Sequence, residues 1–177
     1  MGRKLAGAVL IAAFFTVLLP ALEAQRGPST ADERKRLLDV VHRLEENPLN
    51  PQLRSDEQWA LKWVEDVPDV TVTVCPDLLE PVLTSSYRYK RELALFQMLA
   101  AAAFIVQNPN QAADTFAVNK ASLENTLDAY RSIVRNDPRA RSSAMEDLQR
   151  RRLAGSLDNY VHNATQRCTV DPNAPVA

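Results

Sequence analysis

Glycine is nearly absent from this chain: only four of its 177 residues are glycine, and two of those, Gly2 and Gly7, lie in the first few residues. Loops that cradle phosphates need several glycines, because the backbone must approach the anion closely and adopt positive φ angles. Gly27 and Gly155 cannot build one, which excludes Walker-type and Rossmann-type nucleotide sites. Strand signals are equally scarce. Only Val70-Thr71-Val72-Thr73-Val74 alternates apolar and polar residues at a period of two, and one such segment cannot form a sheet by itself. An excess of positive charge is also missing: 21 Lys and Arg face 22 Asp and Glu, so no nucleic-acid partner is expected. Histidine is limited to His42 and His162, and no paired-histidine zinc motif occurs. No metal ion, cofactor or catalytic residue is therefore assigned.

What the chain does have is a long uncharged run at its start. Arg3 and Lys4 precede Leu5–Leu22, which contains no charge, is broken late by Pro20 and leads to the small residue Ala24. A basic start, an apolar middle and a small residue at the end match a secretory signal peptide cut after Ala24. The alternative is a retained membrane anchor, since about 18 apolar residues can just span a bilayer; membrane contact is expected only in that case. The reading is thus a signal peptide over 1–24, a flexible lead over 25–29, a helical domain over 30–168 and a flexible tail over 169–177. It places the protein in the periplasm or outside the cell, with a bacterial host preferred. Without Arg3, Lys4 and Glu23 the net charge is near −2 over 153 residues, a length suited to one domain.

Export gives meaning to the two cysteines. In an oxidising compartment Cys75 and Cys168 are expected to form a disulfide, and an even count leaves no orphan thiol. A redox or nucleophilic thiol has neither a Cys-x-x-Cys pair nor a nearby histidine to support it.

Helical periodicity with Pro and Asn at the breaks runs through the rest, so the fold class is all-α: a single bundle-like domain of five to seven helices with one short extended segment and one disulfide. Thr30 and Glu33 form a capping-box pattern ahead of Leu37, Val41 and Leu44, and Asn47-Pro48 ends that helix. Ser55 with Gln58 repeats the pattern before Trp59 and Trp63. Ser85 or Ser86 is expected to restart a helix after Pro81. Leu93–Val106 holds Gln97 as its sole polar residue and predicts a central helix covered on all sides, with Ala100–Ala103 allowing close approach of its neighbours. Ala113, Phe116, Lys120, Leu123, Leu127, Tyr130 and Val134 follow at steps of three and four. Ser143 with Glu146 opens the last helical stretch, which Gly155-Ser156 is expected to divide.

Candidate site residues are few. Trp59 and Trp63 lie one helical turn apart, and Tyr87, Arg88 and Tyr89 interleave aromatic and basic groups; either set suits a recognition surface, provided the rings are exposed together. His42 with Glu46, His162 with Asp158, the carboxylates Glu65, Asp66, Asp69 and Asp77, and Lys120 in the apolar seam are the remaining candidates for chemistry. The leading expectation is an exported, non-enzymatic helical binding or interaction protein with an envelope or secreted protein as partner. An inhibitor or immunity-type protein that blocks a secreted enzyme, and an enzyme with an acid/base site drawn from His42, Glu65, Asp69 and Lys120, are the alternatives.

Overall fold

Thr30 starts the first helix in the computed structural model, which describes residues 26–168. The signal peptide expected over 1–24, Gln25 and the tail over 169–177 lie outside the described residues. The Thr30 hydroxyl accepts from the Glu33 backbone N–H while the Glu33 carboxylate accepts from the Thr30 N–H, so the expected capping box is complete. Helix α1 (Ala31–Glu46) ends at Asn47, as the following Pro48 requires, and buries Leu37, Val40, Val41 and Leu44. In the lead, Ser29 donates its N–H and its hydroxyl to the Asp69 carboxylate, both at 2.7 Å.

The next helix starts differently from the expectation. A 3-10 turn over Pro51–Leu53, begun by the Asn50 side chain accepting from the Gln52 N–H, runs directly into α2 (Arg54–Asp66). Ser55 is therefore already inside a helical run and caps nothing. After α2 the chain carries neither helix nor strand from Val70 to Cys75, and its burial alternates as in an extended segment, with Val70, Val72 and Val74 inward and Thr71 and Thr73 exposed; it then forms a 3-10 turn at Pro76–Leu78 and the one-turn helix α3 (Glu80–Leu83). Pro81 sits in the first turn of α3, where its missing N–H costs nothing. Neither Ser85 nor Ser86 restarts a helix: the Ser85 hydroxyl accepts from the Tyr87 N–H in a turn, and α4 (Lys90–Gln107) opens at Tyr89 with no side-chain cap.

Helix α4 and the following α5 (Thr115–Asn136) form the most extensive helix pair of the fold. Asp114, capping the Ala117 N–H, begins α5, so Ala113 lies outside it. The expected cover on all sides holds for most of α4 but not all: Leu93, Phe96, Leu99 and all of Ala100–Ala103 are buried, while Ala94, Leu95 and Met98 lie on a face left partly open. Its hairpin with α5 separates two apolar clusters. One gathers α1, α2, the valines of the extended segment and one side of α4. The other gathers Leu78, Leu79 and Val82 with Leu123, Leu127 and Ile133 of α5 and the helices α6 (Ser143–Leu153) and α7 (Leu157–Arg167). Gly155, at φ 69°, makes the left-handed turn that divides α6 from α7. The described residues thus hold seven α-helices, no strand, and the disulfide Cys75–Cys168 with its Cα atoms 5.6 Å apart.

Buried polar groups are largely satisfied within their own elements. The hydroxyls of Ser122, Thr126 and Ser132 donate back to carbonyls of α5. Tyr130, fully buried, bonds across elements: its hydroxyl donates to Glu146 at 2.8 Å and accepts from the Ser142 N–H at 3.0 Å. That bond places the cap of α6 at Ser142 rather than Ser143, because Glu146 is engaged by Tyr130 and Arg141. Burial pushes the phenol up to about 12. Tyr130→Phe leaves the Ser142 N–H without its partner and is expected to lower unfolding free energy by about 1–3 kcal/mol. Urea denaturation with an unchanged m-value checks this; a change below experimental error would contradict it.

Candidate functional site

Among seven helices, the stretch that departs from the helical rule is Val70–Val74, and its sequence explains the conformation. Val70, Val72 and Val74 turn into the cluster beside α4, while Thr71 and Thr73 face solvent. The pattern is that of a half-buried strand, but no second strand lies beside it. Among the described residues, no hydrogen bond uses the backbone N–H or C=O of residues 70–74.

Both ends of this segment are fixed. At its start, Asp69 accepts from the Ser29 N–H and hydroxyl and from Arg34 at 2.7 Å. The Ser29 backbone bond, with the Ser29 hydroxyl and Arg34 adding to it, holds the Asp69 carboxyl below the usual aspartate range. At its end, the Cys75 N–H donates to the buried Asn119 Oδ1 at 3.0 Å, and Asn119 in turn donates to the Thr115 carbonyl at 2.8 Å. The disulfide joins Cys75 to the end of α7, where Arg167 meets Asp77 at 2.8 Å and the Tyr160 hydroxyl donates to the Leu78 carbonyl at 3.0 Å.

A groove follows the segment. A hollow of about 410 Å³ is lined by Asp69, Thr71 and Thr73 on one side and by Ile105, Ala112 and Val118 on the other. A second of about 290 Å³ continues from Thr73 past Cys75 to Asp77, with Asn119, Arg167 and Cys168 opposite. Thr73 and Thr115 line both, so the hollows adjoin. Asn119 is the residue that sequence reading missed. An asparagine one step from Lys120 in an apolar seam carried no signal until its partner, a backbone N–H 44 residues away, was known.

The residues expected to form a recognition surface are distributed differently. Trp63 is buried, Trp59 is half-buried under the Arg36 guanidinium at 4.0 Å, and both belong to the cluster of α1 and α2. Tyr87 and Tyr89 pack edge to face, with ring centroids 5.9 Å apart, against the other cluster. Arg88 lies over Tyr89 and pairs with Asp137. The structure therefore does not bring the tryptophans and tyrosines together, and Leu153 is the large apolar side chain left exposed among the described residues. Of the acid/base candidates, His42 lies 3.7 Å from Glu46, Lys120 pairs with Asp158 at 2.7 Å, Asp66 pairs with Lys62 at 2.5 Å, and Glu65 is exposed on α2. His162 contacts Gln166 at 3.0 Å instead of Asp158. No cluster of three or more metal-ligating side chains occurs among the described residues.

No protein-family model, curated protein or solved structure matches this chain.

Because the Asp69 carboxyl is lowered in the folded state, its contribution to stability is complete above the unfolded pKa and is lost as pH falls through the lowered folded value. Unfolding midpoints of the wild type and Asp69→Ala are expected to differ at pH 7 and to converge only below about pH 4. Parallel midpoints down to pH 2 would show that the carboxylate does not anchor Ser29.

Proposed function

We propose that this protein is an exported, non-enzymatic interaction protein that captures an extended segment of a secreted or envelope protein as a strand beside Val70–Val74. The observation that carries this reading is the row of backbone donors and acceptors over residues 70–74 that no part of the described chain uses. An extended backbone with free N–H and C=O groups is a template for strand addition, in which main-chain bonds supply affinity and side-chain pockets supply specificity. Helical proteins have little reason to hold such a segment rigid. This one fixes it at Asp69 and at Cys75, so the ordering cost of the receiving strand is met before binding.

The groove also selects the occupant. It borders the chain from Asp69 to Asp77, of which the five steps from Val70 to Cys75 span about 17 Å at the rise of an extended strand. Ile105, Ala112, Ala113 and Val118 form an apolar wall with little depth, which suits alanine or β-branched side chains at alternate positions. Asp69 and Asp77 mark its two ends, each already paired, with Arg34 and with Arg167, so the ends carry no uncompensated charge and the apolar wall sets the preference. An inhibitor of a secreted enzyme would use the same contact. Asp69 and Lys120 are engaged by their own neighbours, and His42 and Glu65 stand exposed on α1 and α2, which gives the enzyme reading little support.

Panning a random decapeptide display library on the oxidised protein tests the proposal. Selected peptides are expected to alternate small apolar and polar residues, and Thr71→Pro or Thr73→Pro, which remove a donor without touching the core, should weaken them at least tenfold with an unchanged circular dichroism spectrum. Peptides that bind both variants as well as the wild type, or no selected peptide at all, would overturn it. A concentration-dependent dimer abolished by Thr73→Pro would assign the edge to a second copy and overturn the partner reading.

A further inference from the structure

The open edge of residues 70–74 lies next to the point at which the chain leaves the last helix. Cys168 caps the end of α7 and is joined to Cys75, the residue that follows the segment. Their Cα atoms are 5.6 Å apart, close to the spacing of about 5.5 Å between opposed residues on neighbouring antiparallel strands. This end of α7 is fixed: the Cys168 N–H donates to the Ala164 and Thr165 carbonyls, and Arg167 meets Asp77 at 2.8 Å. Both cysteines line the second hollow of the groove, so the chain beyond Cys168 sets out from the groove itself.

Residues 169–177, which lie outside the described residues, read Thr-Val-Asp-Pro-Asn-Ala-Pro-Val-Ala. Val170, Pro172, Ala174 and Val176 stand at every second position, with the polar Thr169, Asp171 and Asn173 alternating among them. This is the period of a strand with one apolar face. It also meets the demand of the groove, whose shallow wall of Ile105, Ala112 and Val118 suits small or β-branched side chains. A chain returning from Cys168 beside the segment runs antiparallel to it, and the five steps back to Val70 need about 17 Å, which five residues cover. With Val170, Pro172 and Ala174 level with the inward Val74, Val72 and Val70, Asp171 falls opposite Thr73 and Asn173 opposite Thr71. Asp171 and Asn173 each retain an N–H and can exchange a pair of backbone bonds with the facing threonine. Pro172 falls between them, where the N–H it lacks would turn away from the edge, and Pro175 ends the pairing.

We infer that residues 169–174 are a strap that pairs with the open edge of residues 70–74 and competes with the captured strand. What the strap regulates rests on the capture reading; the pairing itself does not. The disulfide holds the start of the strap beside the edge, which gives it a high effective concentration there. Two bonding residues between prolines make it a weak occupant, which a longer partner strand without prolines displaces. With closed and open forms at a ratio K, a partner's Kd rises by the factor 1 + K, and the amides that the strap engages exchange more slowly by the same factor. A ratio between about one and nine gives a two- to tenfold effect, which leaves these amides fast beside those of a helical core.

Residue-resolved amide exchange of the oxidised full chain tests the strap on wild type, on Asp171→Pro/Asn173→Pro, which lacks the two donors, and on Val170→Asp/Ala174→Asp, which keeps them but not the apolar face. Both variants are expected to exchange about two- to tenfold faster than wild type at Thr71 and Thr73, with Val72 and Val74 unchanged, and to bind a display-selected peptide more tightly by the same factor. Val176→Asp, beyond the pairing, should match the wild type. Equal exchange at Thr71 and Thr73 and equal peptide affinity in all chains would overturn the strap and leave the capture reading standing. Faster exchange in the two variants with no peptide that binds would uphold the strap and overturn the capture reading. Slowing in the wild type that grows with protein concentration would assign the pairing to a second copy and overturn the strap.

Discussion

The rest of the structure depends on one short segment being held extended from both ends. Asp69 ties it to Ser29 and Arg34 at the start of α1, and Cys75 ties it to Asn119 on α5 and, through the disulfide, to the end of α7. The disulfide closes a loop of 93 residues, for which the chain-entropy model gives about 4–5 kcal/mol of stabilisation. These links join the first helix, the central hairpin and the last helix through a stretch that contributes no hydrogen bonds of its own. With the valines buried and the threonines outward, the backbone edges remain for something else.

The central pair of helices makes this arrangement possible. Most of helix α4 is buried, and its run of alanines lets α1 and α5 approach without large side chains between them. The molecule is consequently two small cores back to back, each completed by short helices. The extended segment covers the first core and leads by way of Cys75 into the second.

Where a local signal determined the outcome, sequence reading found it. Thr30 with Glu33, the stop at Asn47-Pro48, the turn at Gly155, the largely buried α4 and the pairing of Cys75 with Cys168 were all legible, because each follows from residues adjacent in sequence or from an even cysteine count. Serines were misplaced where another residue took over the start of the helix. Ser143 yields its role to Ser142 because Tyr130 engages Glu146, and Ser55 because the Asn50–Pro51 turn begins helical structure earlier. The candidate site was legible only in part. The Val-Thr alternation announced an extended segment, but that its edges stay open depends on the absence of a neighbour, which no local pattern encodes. The aromatic residues drew attention by type, yet their rings serve two separate cores.

The most direct test of the central claim, that the extended segment is held with its backbone open, is amide hydrogen exchange of the free, oxidised protein resolved by residue. The account predicts fast exchange at Thr71–Val74 between strongly protected amides in α4 and α5 and a protected Cys75 amide bonded to Asn119. Strong protection across residues 71–74 in the free monomer would contradict it, because the edge offered to a partner would already be paired.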